Sequence, residues 1–335
     1  MDVFFERDFE KQILFVDTKK IESILQFYDE DDESDMEYLE REFLGYRVDG
    51  HKKRICEVGL SRRDFVNLCL PSCKRILSWW KSIRDNVVNC MEKNPEFDIV
   101  FVSNSCWPWN LMPLENLTPL DQKYRVAINS SSDFTKLKDQ TNTIFLGEGN
   151  VDSNWTGSEF EGWNTTKQLY KKHAENTLNV SCRISNLVKT CDFEENVRGF
   201  NSSNDLADFV HTNCHGHQTE LELKNQKLSG KKIKQVLNSS SGAIRIWISE
   251  SCWSAQMFQD HELMKTGKIG SVICHTGIAD EKNDSTIFVR VLWSHLAGGS
   301  TIGTAFLAAK QAVADSDPSS GSFTLLGNPK TRLFS

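Results

Sequence analysis

Two segments of this sequence end an apolar run on a side chain able to do chemistry. They are Val210-His211-Thr212-Asn213-Cys214-His215-Gly216 and Ile246-Trp247-Ile248-Ser249-Glu250-Ser251-Cys252-Trp253-Ser254-Ala255. Cysteine attacks only as thiolate, and a neighbouring imidazole is the usual means of lowering its pKa towards neutrality. The carboxyl ends of neighbouring strands in a parallel α/β sheet open onto one crevice, so a His ending one strand and a Cys ending the next can meet there. Among ten cysteines, Cys252 is the best placed, because it directly follows a strand-like run and precedes a helix-like one. The start of a helix favours a thiolate and can also hold an oxyanion. His215 is then the general base and acid, and Gly216 lets the backbone approach a substrate carbonyl closely enough to donate its N–H. Position alone leaves a second reading open, with Cys252 a buried structural thiol and His215 a loop histidine.

Metal binding is the competing chemistry. His211, Cys214, His215 and His217, with Cys252 or Cys274-His275, offer the nitrogen and sulfur donors of a tetrahedral site. Strand parity opposes it: His211, Asn213 and His215 share one face while Cys214 points to the other, so the four cannot converge without a bulge. The sequence therefore predicts no metal and no cofactor, with His211 a core or supporting histidine and Cys214 a buried thiol.

The scaffold for these side chains is read from periodicity. Apolar runs at 98–103, 143–147, 207–213, 243–249, 270–276 and 322–326 alternate with amphipathic stretches at 165–179, 229–237, 254–266, 285–297 and 300–314. That alternation predicts a mostly parallel six-stranded sheet with helices on both faces, a three-layer α/β/α sandwich over residues 95–335. Residues 1–94 read differently. An acidic cluster, Asp29 to Asp35, fits a solvated loop, and the spacing of Phe65, Leu68, Ile76, Trp79, Trp80, Ile83 and Val87 predicts helix over 62–91, interrupted at Pro71. These residues are expected to form a small helical regulatory or docking region. Trp79-Trp80 is read as core of those helices, and Cys106-Trp107-Pro108-Trp109 as packing near the mouth of the crevice.

A net charge of −7 argues against a phosphate-binding surface, and direct nucleic-acid binding is not expected. There is no apolar run of about 18 residues to cross a bilayer, and the first residues lack the basic and apolar regions of a signal peptide. The expectation is a cytoplasmic protein with free thiols rather than disulfides. Triplets such as Asn116-Leu117-Thr118 then need no glycan to explain them.

The His-Gly strand resembles that of the CHAT peptidases, in the caspase-like clan that also holds caspases, metacaspases, gingipains and separase. Ile248 to Ala255 resembles the family's nucleophile segment, where a small polar residue, Cys, any residue and Ser-Ala close the strand. Three further segments fall in family order: Leu111-Met112-Pro113-Leu114-Glu115-Asn116-Leu117, Thr276-Gly277-Ile278-Ala279-Asp280, and Phe323-Thr324-Leu325-Leu326-Gly327-Asn328-Pro329. The resemblance covers residues 95–335. It implies a caspase-like cysteine endopeptidase in which Cys252 attacks, His215 relays the proton, and the N–H groups of Gly216 and Cys252 hold the oxyanion. Glu250 and Asp280 match positions where metacaspases and separase-like enzymes carry acids for a basic P1 side chain, so both are candidate pocket residues. Two departures weaken the reading of specificity: Cys274-His275-Thr276 replaces the family's Leu-Trp, and the caspase signature Gln-Ala-Cys-x-Gly is absent. The resemblance further implies a dedicated protein substrate, such as a gasdermin encoded nearby, in bacterial antiviral defence or cell death. It also implies activation by an effector complex of CRISPR type docking on residues 1–94. The rival reading is a caspase-like scaffold without catalytic activity.

Overall fold

The computed structural model describes residues 4–20, 47–48, 52–53, 74–103, 109–111, 114, 118–137, 143–150, 158–176, 180–198, 205–275, 283–313 and 323–334. The acidic cluster, residues 62–73, Trp107 and Asp280 lie outside the described residues, as do the side chains of Trp79 and Trp80. The chain divides into two compact units, Met1–Ser132 and Asp133–Ser335.

In the first unit, β1 (Phe4–Asp8) and β2 (Ile13–Asp17) form a hairpin. Its turn is held by Asp8, which accepts from the Lys11 backbone N–H and pairs with the Lys11 ammonium, both at 2.8 Å. Strand β2 runs parallel to β3 (Asp98–Val102), and β3 parallel to β4 (Val126–Asn129). Helix α1 (Lys74–Lys93) starts beyond Pro71 and buries Ile83, Val87 and Met91 at helical spacing. Two features depart from the sequence reading. Residues 4–17 are strands rather than part of a helical region, and they belong to one compact unit with residues 95–132. Of the hairpin, β1 is an exposed, charged strand with no apolar alternation to betray it, whereas the apolar run 13–16 of β2 was legible and was passed over. Trp109 is buried and stacks on Phe101 at 5.6 Å, a packing role.

In the second unit the sheet comprises β5 (Thr143–Glu148), β6 (Ser181–Asn186), β7 (Phe209–Asn213), then, after the short strands β8 (Gly216–His217), β9 (Glu220–Glu222) and β10 (Lys227–Ser229), β11 (Ile244–Glu250), β12 (Ile269–His275) and β13 (Phe323–Gly327). Their order is β13-β12-β11-β7-β5-β6, and every pair is parallel except β12 with β13. A mostly parallel sheet matches the expectation; the described strands of the main sheet number ten over the two units rather than six, and the six in this unit are not the six expected. Run 98–103 belongs to the first unit, and Ser181–Asn186 takes the sixth place. That segment is an edge strand, half-exposed along its length, and so lacks the apolar run that marks a central strand.

Both faces of this sheet are covered. On one, α2 (Ser158–Asn176) sets Tyr170 against Phe209 at 5.4 Å and His211 at 5.5 Å, and α6 (Asn283–Ala297) adds Trp293, 4.0 Å from Tyr170. On the other, Trp247 lies between Phe193 of α3 (Thr190–Val197) and Phe258 of α5 (Ser254–Asp260), at 5.6 and 5.0 Å. This is the three-layer α/β/α arrangement. Two further helices have side-chain caps: Ser229 accepts from Lys232 N–H at the start of α4 (Gly230–Asn238), and Thr301 accepts from Thr304 N–H at the start of α7 (Ile302–Ala312). The helix expected over 254–266 stops at Asp260, because Glu262 takes a left-handed φ of 52° that an α-helix cannot continue through.

Candidate active site

Strands β7 and β11 are parallel neighbours in the register Ile248↔His211, Ser249↔Thr212, Glu250↔Asn213. Both end on the same rung, so Cys214-His215-Gly216 and Ser251-Cys252-Trp253 leave the sheet side by side. The next rung is joined through side chains, with Cys214 Sγ 3.3 Å from Ser251 Oγ. Cys214 is buried on the face away from its neighbours His211 and Asn213, as strand parity requires.

Two hydrogen bonds fix the backbone of His215. Its N–H donates to the Asn150 carbonyl, and its own carbonyl accepts from Glu222 N–H, both at 2.8 Å. The small antiparallel sheet β8-β9-β10 continues directly from this point, with Gly216 opposite Leu221. Gly216 then lies against the other segment. A Cβ built on it would stand 2.8 Å from the Cys252 carbonyl oxygen and 2.9 Å from Ser251 Cβ, so only glycine permits the approach.

The turn carrying Cys252 is stitched by Ser254. Its hydroxyl donates to the Ser251 carbonyl at 2.7 Å and accepts the His275 backbone N–H at 3.1 Å, tying the turn to the end of β12. Trp253 has φ 58° and ψ 15°, a left-handed conformation that a bulky residue adopts at a cost of about 1 kcal/mol. Cys252 and His215 are half-buried, whereas Ser249, Ser251 and Ser254 are fully buried.

At the carboxyl ends of the strands, on the α2 face, lies a row of buried polar groups. Glu148, Asn213 and Glu250 share one rung of β5, β7 and β11. Glu148 accepts from Trp163 Nε1 at 2.7 Å and pairs with Lys167 at 2.9 Å. Glu250 Oε1 is in close contact with His211 Nε2, and the other ring nitrogen of His211 is 3.0 Å from the Tyr170 hydroxyl. Burial, and secondarily the Glu250 charge, pushes the Tyr170 hydroxyl well above its ordinary pKa. A phenol that stays protonated donates to His211 Nδ1, which leaves Nε2–H to donate to Glu250. Asn213 Oδ1 is buried with no hydrogen-bond donor.

The fold has solved counterparts. The crystal structure of the Arg-specific cysteine proteinase gingipain R (RGPB) aligns with a TM-score of 0.54 at 13% identity, over 98% of this chain and 80% of that one. The complex of the pro- and mature domains of RgpB from Porphyromonas gingivalis aligns with a TM-score of 0.51 at 11% identity, over 75% of this chain and 69% of that one. This chain has the caspase-like gingipain fold. No protein-family model matches the sequence, and no curated protein matches it.

Within that fold, Gly216 packs on the main chain of Cys252, and His215 and Cys252 lie just beyond the ends of adjacent strands. Glu250 lies two positions before Cys252, with one carboxylate oxygen engaged by His211. The sequence reading passed over Glu148, Tyr170 and Trp163. Glu148 was within reach, since the run 143–147 stops one residue short of it. Tyr170 and Trp163 sit on a helix whose register against the sheet no sequence pattern specifies. Among the described residues no group of three or more His, Cys, Asp or Glu side chains is disposed to hold a metal ion. No described helix is long and apolar enough to cross a membrane.

Proposed function

We propose that the chain is a cysteine endopeptidase with Cys252 as nucleophile and His215 as general base and acid. The observation that carries this reading is the contact of Gly216 with the Cys252 main chain, which sets the His-Gly loop against the nucleophile turn of a proteinase fold. In the proposed reaction His215 takes the Cys252 proton and the thiolate adds to the scissile carbonyl. The Gly216 and Cys252 N–H groups donate to the oxyanion, and His215 returns the proton to the leaving amine. Water, deprotonated by His215, then cleaves the thioester.

Cleavage after a basic residue follows from Glu250 and Asp280 as acids of the primary pocket. For Glu250 the support is a position two residues before the nucleophile, with one carboxylate oxygen uncommitted among the described residues. The narrower reading is a CHAT-type protease of the cytoplasm in bacterial antiviral defence. It would cut one companion protein, of gasdermin type, and be activated when an effector complex docks on residues 1–94. Its support is the order of the five sequence segments. The test is cleavage of reporter peptides and of proteins encoded beside this one, by the full chain and by its Cys252→Ala and His215→Ala variants. Loss in both variants, with the fold retained, agrees with the proposal. Cleavage by folded Cys252→Ala refutes it, and absence of cleavage in every combination favours the non-catalytic scaffold.

A further inference from the structure

A buried acceptor without a donor is costly, and Asn213 carries one at the end of β7, two residues before His215. Its residue is 2% exposed, and its Oδ1 has no hydrogen-bond partner among the described residues. Asn213 shares a rung with Glu148 on one side and Glu250 on the other, so the three side chains leave the same face of the sheet. His215 follows two residues beyond Asn213, and Cys252 two beyond Glu250, just past the strand ends.

The two flanking acids are not equivalent. Glu148 is already neutralised: Lys167 sits 2.9 Å from Oε2, Trp163 Nε1–H donates to the same oxygen, and Lys224 lies 3.9 Å from Oε1. Glu250 has Oε1 engaged by His211, which Tyr170 orients, and its Oε2 has no hydrogen bond among the described residues. Two acceptors on adjacent strands are thus left open, a carboxylate oxygen and an amide oxygen. Neighbouring strands are about 4.8 Å apart. That spacing suits a planar guanidinium, whose forked N–H groups reach two acceptors at once, better than an ammonium, which acts as a point charge.

We infer that Asn213 is a specificity-determining residue that pairs with Glu250 to bind the guanidinium of a P1 arginine and so selects Arg over Lys. This rests on the peptidase reading above and adds to it a second acceptor and a choice between the two basic residues. His211 and Tyr170 act as positioning residues, holding Oε1 of the Glu250 carboxylate and leaving its other oxygen for the substrate.

The experiment compares reporter peptides with Arg, Lys, Gln or norleucine at P1, using the full chain and its Asn213→Ala, Asn213→Ser and Glu250→Gln variants. The expected result is an Arg over Lys preference of about tenfold or more in kcat/KM. It should collapse towards unity in both Asn213 variants, chiefly through KM, while Glu250→Gln weakens Arg and Lys together. Equal cleavage after Arg and Lys by the unaltered chain overturns the role of Asn213 and leaves the basic-pocket reading standing. So does an Asn213 variant that slows all four reporters alike. Cleavage confined to norleucine or Gln overturns both. A measurement independent of turnover and of variant folding is the melting temperature of the unaltered chain with agmatine or with putrescine. Protection by agmatine alone supports the inference, and equal or absent protection contradicts it.

Discussion

The two faces of strands β7 and β11 are built from the same alternating sequence and end differently. On the face towards α3 and α5, two pairs of polar side chains bond across the strands, while Arg245 donates to the Arg332 carbonyl and the Ser249 hydroxyl has no partner among the described residues. Trp247 Nε1 donates to Thr212 Oγ1 at 3.0 Å, and Cys214 meets Ser251 at 3.3 Å. On the face towards α2, the polar row at the strand ends holds an Asn213 oxygen without a donor among the described residues and a half-used Glu250. One face uses its contacts to anchor the strands, and the other keeps acceptors available at the end where the chemistry is proposed. Adjacent residues, Asn213 and Cys214 or Glu250 and Ser251, fall to opposite roles because the strand period is two.

Substitutions separate the faces. The greatest loss should be in turnover: Cys252→Ala or His215→Ala is expected to lower the rate by about four orders of magnitude or more, with the melting temperature nearly unchanged, read by reporter cleavage and thermal unfolding. Next comes the opposite face. Trp247→Ala, which empties a site between Phe193 and Phe258, should cost about 3–5 kcal/mol of stability in denaturant unfolding. A smaller loss, or one expressed in KM rather than stability, would dissolve the division between the faces. Gly216→Ala belongs to the loop that joins them. Its new Cβ forces the His-Gly loop away from Cys252 and should reduce kcat about a hundredfold.

His211→Phe keeps the ring volume but removes both hydrogen bonds, leaving Tyr170 and Glu250 unpaired. About 1–3 kcal/mol of stability should go, together with a raised KM for basic reporters. The least change is expected with pH. Burial lowers the pKa of His173, whose ring packs on Trp293 and Phe334. The unfolded chain therefore binds more protons between the lowered folded value and about 6.5. This contribution is complete above about pH 6.5 and is lost as pH falls through the folded value. Solvent screening keeps it small, and His173→Phe should flatten the acid side of the stability curve.

Sequence made the sheet legible where strands are buried on both faces. Ile244–Glu250 and Ile269–His275 are apolar runs with no exposed residue, and the reading found them within a residue or two. It failed at Phe4–Asp8, Val126–Asn129 and Ser181–Asn186, short or edge strands with no extended apolar run, and it also passed over Ile13–Asp17, whose four buried apolar residues were legible. That the segments carrying His215 and Cys252 leave the sheet side by side could be read because each closes a central strand. The engagement of Glu250 by His211 could not, since the contact depends on register between strands far apart in sequence and on a helix that seals the row. Asp280 stays an expectation, and Glu250 is more buried than a pocket acid read from the motif alone would be.

The deciding measurement is reaction of the folded chain with an electrophilic peptide probe at neutral pH, mapped cysteine by cysteine by mass. Burial pushes the Cys182 thiol up to about 11, so it should stay inert and serve as an internal control. If Cys252 and His215 act as a dyad, one label per chain appears, on Cys252, lost in His215→Ala and retained in His211→Phe. Labelling spread over several of the ten cysteines, or labelling of Cys252 that His215→Ala leaves unchanged, would contradict the dyad.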